Sequence, residues 1–251
     1  MKQKIFLTFL LSTFYLLLST LYCYAEGLHR AEALYLQGSY SESIEECAES
    51  ISRGKDMDKA YYLLGLNYLK LGDTRKAREK LKIMAENYKE SNYSAIVQVL
   101  YADSYFIDQE YATAQSRYEE ILKTTTALAN SAYLGLARCA LKTGEWEKAK
   151  GYAELLAQKF PKSLEARMAK EFLNVEEFFF TVQAGSFVSL KNAERLISKL
   201  QGKHFDAYID QVSSGENLLY RVRVGKVKTR QEALALKNAL EAEGYPTKIF
   251  P

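Results

Sequence analysis

The chain has 251 residues, of which 48% are hydrophobic and 26% charged, with 13 glycines and 3 prolines. That length accommodates more than one domain, and that composition excludes an intrinsically disordered chain. A net charge of +3 is too small to argue for nucleic acid as a partner.

The charge is unevenly placed. Residues 26–177 carry 21 Lys and Arg against 24 Asp and Glu, whereas residues 178–251 carry 11 against 7. A mildly basic carboxy-terminal part suits an anionic polymer, with an ordinary solvated surface as the bland alternative.

Lys2 and Lys4 precede an uncharged apolar run from Ile5 to Tyr22, and Cys23-Tyr24-Ala25 stands before Glu26. This is the pattern of a secretory signal peptide over residues 1–25, cleaved before Glu26. The apolar run is near the lower length limit of a spanning helix, so a retained amino-terminal anchor is the alternative. Membrane contact is expected only in that case. Lipidation at Cys23 is a third option, disfavoured by the bulky Tyr22 just before it. All three place the remainder outside the cytoplasm, in the periplasm or cell envelope.

Residues 26–175 read as helical repeats. The triplets Gly38-Ser39-Tyr40, Gly72-Asp73-Thr74, Gln109-Glu110-Tyr111 and Gly144-Glu145-Trp146 recur at spacings of 34, 37 and 35 residues. Each reads as the turn between two antiparallel helices. Gly65, Ala102 and Ala137 stand before the turns, where the first helix packs closely on the second. Ser43, Ala77, Ala114 and Ala149 stand after them, where the second helix needs a small side chain. Tyr68 and Tyr105 fill an aromatic position of the first helix. Phe160-Pro161 ends the fourth repeat, since proline cannot continue a helix.

This pattern resembles the tetratricopeptide family, which implies stacked helix pairs in a right-handed superhelix and a groove that binds a peptide or partner protein. Tyr61, Tyr62, Tyr101 and Tyr133 lie on first helices and serve either the groove or the core. Cys47 and Cys139 read as small buried hydrophobes. A helix from Ser163 to about Val175, with apolar Leu164, Met168, Phe172 and Leu173, is expected to close the last repeat.

Residues 178–251 read as a βαββαβ module. The strand Phe178–Phe187 alternates, with Phe178, Phe180, Val182 and Ala184 on a core face and Phe179, Thr181, Gln183 and Gly185 on the other. A helix follows over 190–200, with Ala193, Leu196, Ile197 and Leu200 on its apolar stripe. The second strand, Phe205–Val212, turns Phe205, Ala207 and Ile209 inward and Asp206, Tyr208 and Asp210 outward. A turn at 213–217 leads to a third strand with Tyr220, Val222 and Val224 inward and Arg221 and Arg223 outward. Thr229 and Glu232 form a capping box for the second helix. Gly244 caps its end, and 245–250 forms the last strand.

Both helices are expected on one sheet face. The other face then presents Gln183, Tyr208, Arg221 and Arg223, with Lys248 beside them. Amides bond sugar hydroxyls, aromatic rings pack on sugar faces, and arginine forks hold carboxylates.

The motifs Val182-Gln183-Ala184-Gly185-Ser186-Phe187, Tyr220-Arg221-Val222-Arg223-Val224-Gly225 and Gly244-Tyr245 resemble the SPOR family. The resemblance implies a ferredoxin-like fold that recognises denuded septal peptidoglycan. It places ligand contacts on Gln183, Ser186 and Arg223, to which the face argument adds Tyr208 and Arg221. The chain departs from the family at Lys226-Val227, where many members carry proline and phenylalanine.

The expected fold class is thus multidomain: an all-α repeat array followed by a small α+β module with a four-stranded antiparallel sheet. The expected function is an envelope scaffold at the division site. Its partners are glycan strands and an unidentified protein in the repeat groove, with no cofactor and no metal. A regulator of a peptidoglycan hydrolase or synthase is the alternative. An RNA-recognition module of the same topology needs exposed aromatics on its central strands, where this chain offers arginines. An enzyme is not expected, because His29 and His204 have neither metal-ligand spacing nor a nucleophile beside them.

Overall fold

The computed structural model describes residues 27–175, 177–214 and 217–251. The expected signal segment and residues 215 and 216 of the expected turn lie outside these. The chain divides into two units, one ending at Ala129 and one starting at Asn130.

The first unit holds α1 (Gly27–Gln37), α2 (Tyr40–Ser52), α3 (Met57–Lys70), α4 (Thr74–Asn87), α5 (Ser94–Ile107) and α6 (Tyr111–Thr124). The helices pack in sequential pairs, and each pair is joined by the same turn. The amide of Ser39 donates to the Leu34 carbonyl at 2.9 Å, Asp73 to Tyr68 at 2.9 Å and Glu110 to Tyr105 at 2.9 Å. These are the 6→1 bonds that close a helix on a left-handed residue. Gly38 and Gly72 supply that residue with φ of 85° and 76°. Gln109 occupies the same position with φ of 63°. The third turn therefore keeps the geometry of the others despite its side chain.

The small residues sit where the repeat requires them. Ala77, Ala102 and Ala114 are fully buried, and a Cβ on Gly65 would meet Leu81 at 2.4 Å. Ser43, where the other repeats carry alanine, is also fully buried. Its hydroxyl donates to the Ala31 carbonyl at 2.7 Å and accepts from Asn67 Nδ2 at 2.9 Å. Tyr61 and Tyr62 pack against the cores of the first repeats, and Tyr62 stacks on Tyr93 with ring centroids 4.6 Å apart. They are half-buried packing residues. Cys47 is fully buried, as expected of a small hydrophobe, and so is Cys139 in the second unit.

The second unit contains α7 (Ala129–Thr143), α8 (Trp146–Lys159), α9 (Leu164–Leu173), β1 (Phe180–Phe187), α10 (Leu190–Gln201), β2 (Ala207–Ser214), β3 (Asn217–Val227), α11 (Arg230–Ala242) and β4 (Lys248–Phe250). The pair α7/α8 is the fourth repeat, turning at Gly144 with φ of 85°. Helix α9 closes it, capped by Ser163, whose side chain accepts from the Ala166 amide. The closing face differs from the expected one. Ala166 and Ala169 are buried against Ala153 and Leu156, with Phe172 and Leu173 packed around them. Leu164 is 60% and Met168 46% exposed.

The four strands form an antiparallel sheet in the order β2-β3-β1-β4. Val182, Ala184, Ala207, Val222 and Val224 face Ala193 and Leu200 of α10 and Leu240 of α11 in one core. The capping box of Thr229 and Glu232 is present. The expected fold class, helical repeats followed by a βαββαβ module, is the fold observed.

Phe178 and Phe180 depart from the expected core. Phe178 stacks on Trp146 at 5.4 Å with an interplanar angle of 5°, and Phe180 meets the same indole at 4.8 Å. A Cβ on Gly144 would lie 3.0 Å from the Phe180 ring. The start of β1 thus packs against the turn of the fourth repeat. This aromatic cluster joins the fourth repeat to the start of the sheet, with Phe180 buried and Trp146 and Phe178 half-buried.

Candidate functional site

Helices α10 and α11 cover one side of the sheet. The register identifies what stands on the other. Gln183 lies opposite Arg223 on one side and Lys248 on the other, and Arg223 lies opposite Tyr208. Residues directly opposed in antiparallel strands share a face. Tyr208, Arg223, Gln183 and Lys248 therefore form one row across all four strands. A second row pairs Asp210 with Arg221 and Arg221 with Ser186. All five residues expected at the site lie on this face.

Ser186 reaches the face by a route that alternation does not show. A register shift between Gln183 and Gly185 places Gly185 opposite Val222 and Ser186 opposite Arg221. This is a β-bulge, which inserts a residue and reverses the facing beyond it. Simple alternation assigned Gly185 to the open face. The bulge turns it toward the helices, where a Cβ would lie 2.7 Å from the Phe187 ring and 3.0 Å from Leu196. Gly185 is a backbone requirement of this turn of the strand.

Arg223 is not an unoccupied fork. Its Nε donates to Asp210 Oδ2 at 2.8 Å, and its side chain is only 13% exposed. Its guanidinium lies 4.9 Å from the Phe250 ring centroid. Packing and the ion pair hold it as framework. Arg221 is half-buried and makes no ion pair among the described residues. Of the two arginines, only Arg223 is held by a carboxylate.

Tyr208 is tethered at its hydroxyl, which donates to Thr181 Oγ1 at 3.3 Å. Thr181 in turn donates to the Val224 carbonyl at 3.2 Å. Gln183 contributes an acceptor with no partner: its Oε1 is buried and makes no hydrogen bond among the described residues. A buried polar atom without a partner costs about 1–3 kcal/mol, so Gln183 holds unspent hydrogen-bonding capacity on this face.

Sequence reasoning missed a second layer. Lys226 lies 5.0 Å from the Phe179 ring and 5.4 Å from Tyr208, and Lys248 lies 5.4 Å from Phe250. Aromatic rings and cations thus alternate along the face. The signal was present in the outward parity of Phe179 and Tyr208. The contribution of Lys226 and Phe250 required the register. The central strands β3 and β1 carry Arg221, Arg223 and Gln183, whereas Tyr208 and Phe250 stand on edge strands.

Among the described residues no cluster of three or more His, Cys, Asp or Glu could hold a metal, and no helix is long and apolar enough to cross a membrane. Helix-pair repeats joined to a polar, cation-rich sheet face are binding surfaces, and they define a protein of two recognition modules.

Comparison with known families names both modules. The SPOR domain model matches residues 176–250, and tetratricopeptide repeat models match residues 59–91 and 99–163. The chain carries tetratricopeptide repeats followed by a SPOR domain. No curated protein matches the sequence. Among solved structures it is similar to PilF of Pseudomonas aeruginosa, at 20% identity and a TM-score of 0.42 over 58% of this chain and 64% of that one. It is also similar to MamA of AMB-1, at 14% identity and a TM-score of 0.42 over 59% and 81%. A tetratricopeptide repeat protein from Parabacteroides merdae aligns at 14% identity and a TM-score of 0.48 over 72% and 64%. The chain spans less than two thirds of the length of the first and third of these.

Proposed function

We propose that this chain is an exported bacterial envelope scaffold. Its SPOR domain binds peptidoglycan glycan strands stripped of stem peptides, at the division septum, and its repeats recruit a protein partner. The SPOR match supports the polymer, and the repeat matches support the partner.

One observation carries the reading: the row Tyr208, Arg223, Gln183 and Lys248, with Gln183 Oε1 buried and unpartnered. A glycan presents what that row lacks. Its hydroxyl and acetamido N–H groups donate to Gln183 Oε1, and an apolar sugar face packs on Tyr208. Removal of stem peptides bares the lactyl carboxylate of muramic acid. Arg221 receives it in a bidentate fork, because Asp210 already occupies Arg223 Nε. Ser186 stands opposite Arg221 and contributes a hydroxyl. The cations of the face, Arg221, Lys226 and Lys248, raise the local concentration of an anionic strand. The edge-strand placement of Tyr208 and Phe250 leaves the central strands without the base-stacking platform of an RNA binder.

The division of labour between the arginines is the test. Arg221→Ala weakens binding to soluble amidase-stripped strands by about tenfold, the loss of one charge-assisted contact, and leaves the melting temperature unchanged. Arg223→Ala lowers the melting temperature by exposing Asp210 to an empty partner. The reverse pattern would assign the carboxylate to Arg223.

A further inference from the structure

A second bulge sets a cation at the end of the open face away from Arg221. Phe180 lies opposite Val227 and Val182 opposite Val224, so Gly225 and Lys226 together oppose Thr181. Gly225 takes a left-handed φ of 69°, and its amide donates to the Asp206 carbonyl at 2.8 Å. Such a bulge inserts one residue and re-aims the side chain that follows. Gly225 turns toward α11, where a Cβ would lie 2.6 Å from Leu236. Lys226 is thereby turned onto the open face.

There its ammonium lies 5.0 Å from the Phe179 ring and 5.4 Å from the Tyr208 ring. Ring faces attract a cation without neutralising it. Lys226 is exposed and makes no ion pair among the described residues. Glu177 gives its carboxylate to Lys228 instead. The two rings thus hold an unneutralised cation in place before a ligand arrives, which lowers the ordering cost of a contact. Arg221 and Lys226 lie roughly 15 Å apart along β3 at the rise of a strand, too far for one carboxylate to meet both.

We propose that Lys226, held between Phe179 and Tyr208, is a second carboxylate subsite. A glycan strand lying along β3 places one lactyl carboxylate at Arg221 and a further one at Lys226. This rests on the glycan reading above. Lys226 is also where the chain departs from the SPOR pattern, so the family resemblance assigns it no role.

The test uses the full chain and two probes: amidase-stripped glycan strands, and the same strands with the lactyl carboxyl reduced to an alcohol. Lys226→Gln weakens binding to the unreduced strands about fivefold, as expected of one exposed charge contact, and Lys226→Arg retains it. Neither variant changes affinity for the reduced strands. Lys199→Gln removes the same charge from α10, on the covered side of the sheet, and leaves binding to both probes as in the wild type. Unchanged binding of Lys226→Gln to unreduced strands, with Gln183→Ala impaired, overturns the subsite and leaves the glycan reading standing. Equal losses for Lys226→Gln and Lys199→Gln overturn the subsite in favour of net charge alone. Equal weakening of Lys226→Gln on both probes overturns the carboxylate assignment. Failure of the wild type to bind either probe overturns the subsite and the glycan reading together.

Discussion

Gln183 and Ser186 stand on the same face of the sheet although they are three positions apart on β1. Their partners Arg223 and Arg221 are two residues apart on β3. The bulge at Ala184 and Gly185 absorbs the difference. It brings an amide and a hydroxyl into adjacent rows while Gly185 turns toward α10. The two β1 side chains among the three that the family motif singles out are thus aligned by a backbone irregularity, and the glycine between them is its condition.

Gly185→Ala tests that condition. The added methyl would lie 2.7 Å from the Phe187 ring and 3.0 Å from Leu196. Overpacking of this kind costs about 1–3 kcal/mol. Thermal denaturation is expected to shift downward by several degrees, with weaker glycan binding as Ser186 loses its place. An unchanged melting temperature would show that the strand relieves the contact elsewhere.

Gln109 offers the opposite experiment. It holds a left-handed φ of 63° at a turn where Gly38, Gly72 and Gly144 hold 85°, 76° and 85°. A side chain there costs about 1–2 kcal/mol, partly offset by the greater freedom of glycine when unfolded. Gln109→Gly is expected to stabilise the chain by about 0.5–1 kcal/mol in urea denaturation. Destabilisation would mean that the Gln109 side chain contributes contacts of its own.

Most of the fold was legible because its periods are strong. The 34-to-37-residue recurrence of the turns located four helix pairs, and strand alternation placed Tyr208, Arg221, Arg223 and Gln183 on one face. What escaped has local causes. Alternation cannot see a bulge, so Gly185 was placed on the wrong side. An apolar residue at core parity reads as core whatever element covers it, so Phe178 and Phe180 were assigned to the module rather than to Trp146. Parity reveals which way Arg223 points but not that Asp210, thirteen residues earlier, holds it. Of the apolar residues Leu164, Met168, Phe172 and Leu173, only the last two pack on the repeat, because Ala166 and Ala169 take the closing face and allow the closer approach.

The Trp146 cluster predicts coupling between the fourth repeat and the module. Trp146→Ala removes the contacts to Phe178 and Phe180 and is expected to cost about 2–3 kcal/mol for a half-buried aromatic. Hydrogen exchange should then show α7, α8 and β1 losing protection together. Loss confined to α8 would mean that the repeat and the sheet are stable independently.

Cys47 supplies a pH signature. Burial, with Glu46 beside it, pushes its thiol up from 9.0 to about 12. The folded state favours the neutral thiol, so this contribution is fully present below pH 9 and is lost as the pH rises toward 12. At pH 8 the thiol is also shielded from reagents. Site-resolved mass spectrometry should find Cys47 alkylated by iodoacetamide only at the rate of local opening, accelerating with denaturant. Alkylation at the rate of a free thiol would contradict its burial.

The central claim is that the sheet face opposite α10 and α11 grips a peptide-stripped glycan. Co-sedimentation with purified sacculi measures it most directly, comparing untreated and amidase-treated sacculi and the wild type with Gln183→Ala and Arg221→Ala. The account predicts stronger retention of the wild type on amidase-treated sacculi and a marked loss for both variants. Equal retention of all three proteins on both kinds of sacculi would contradict it.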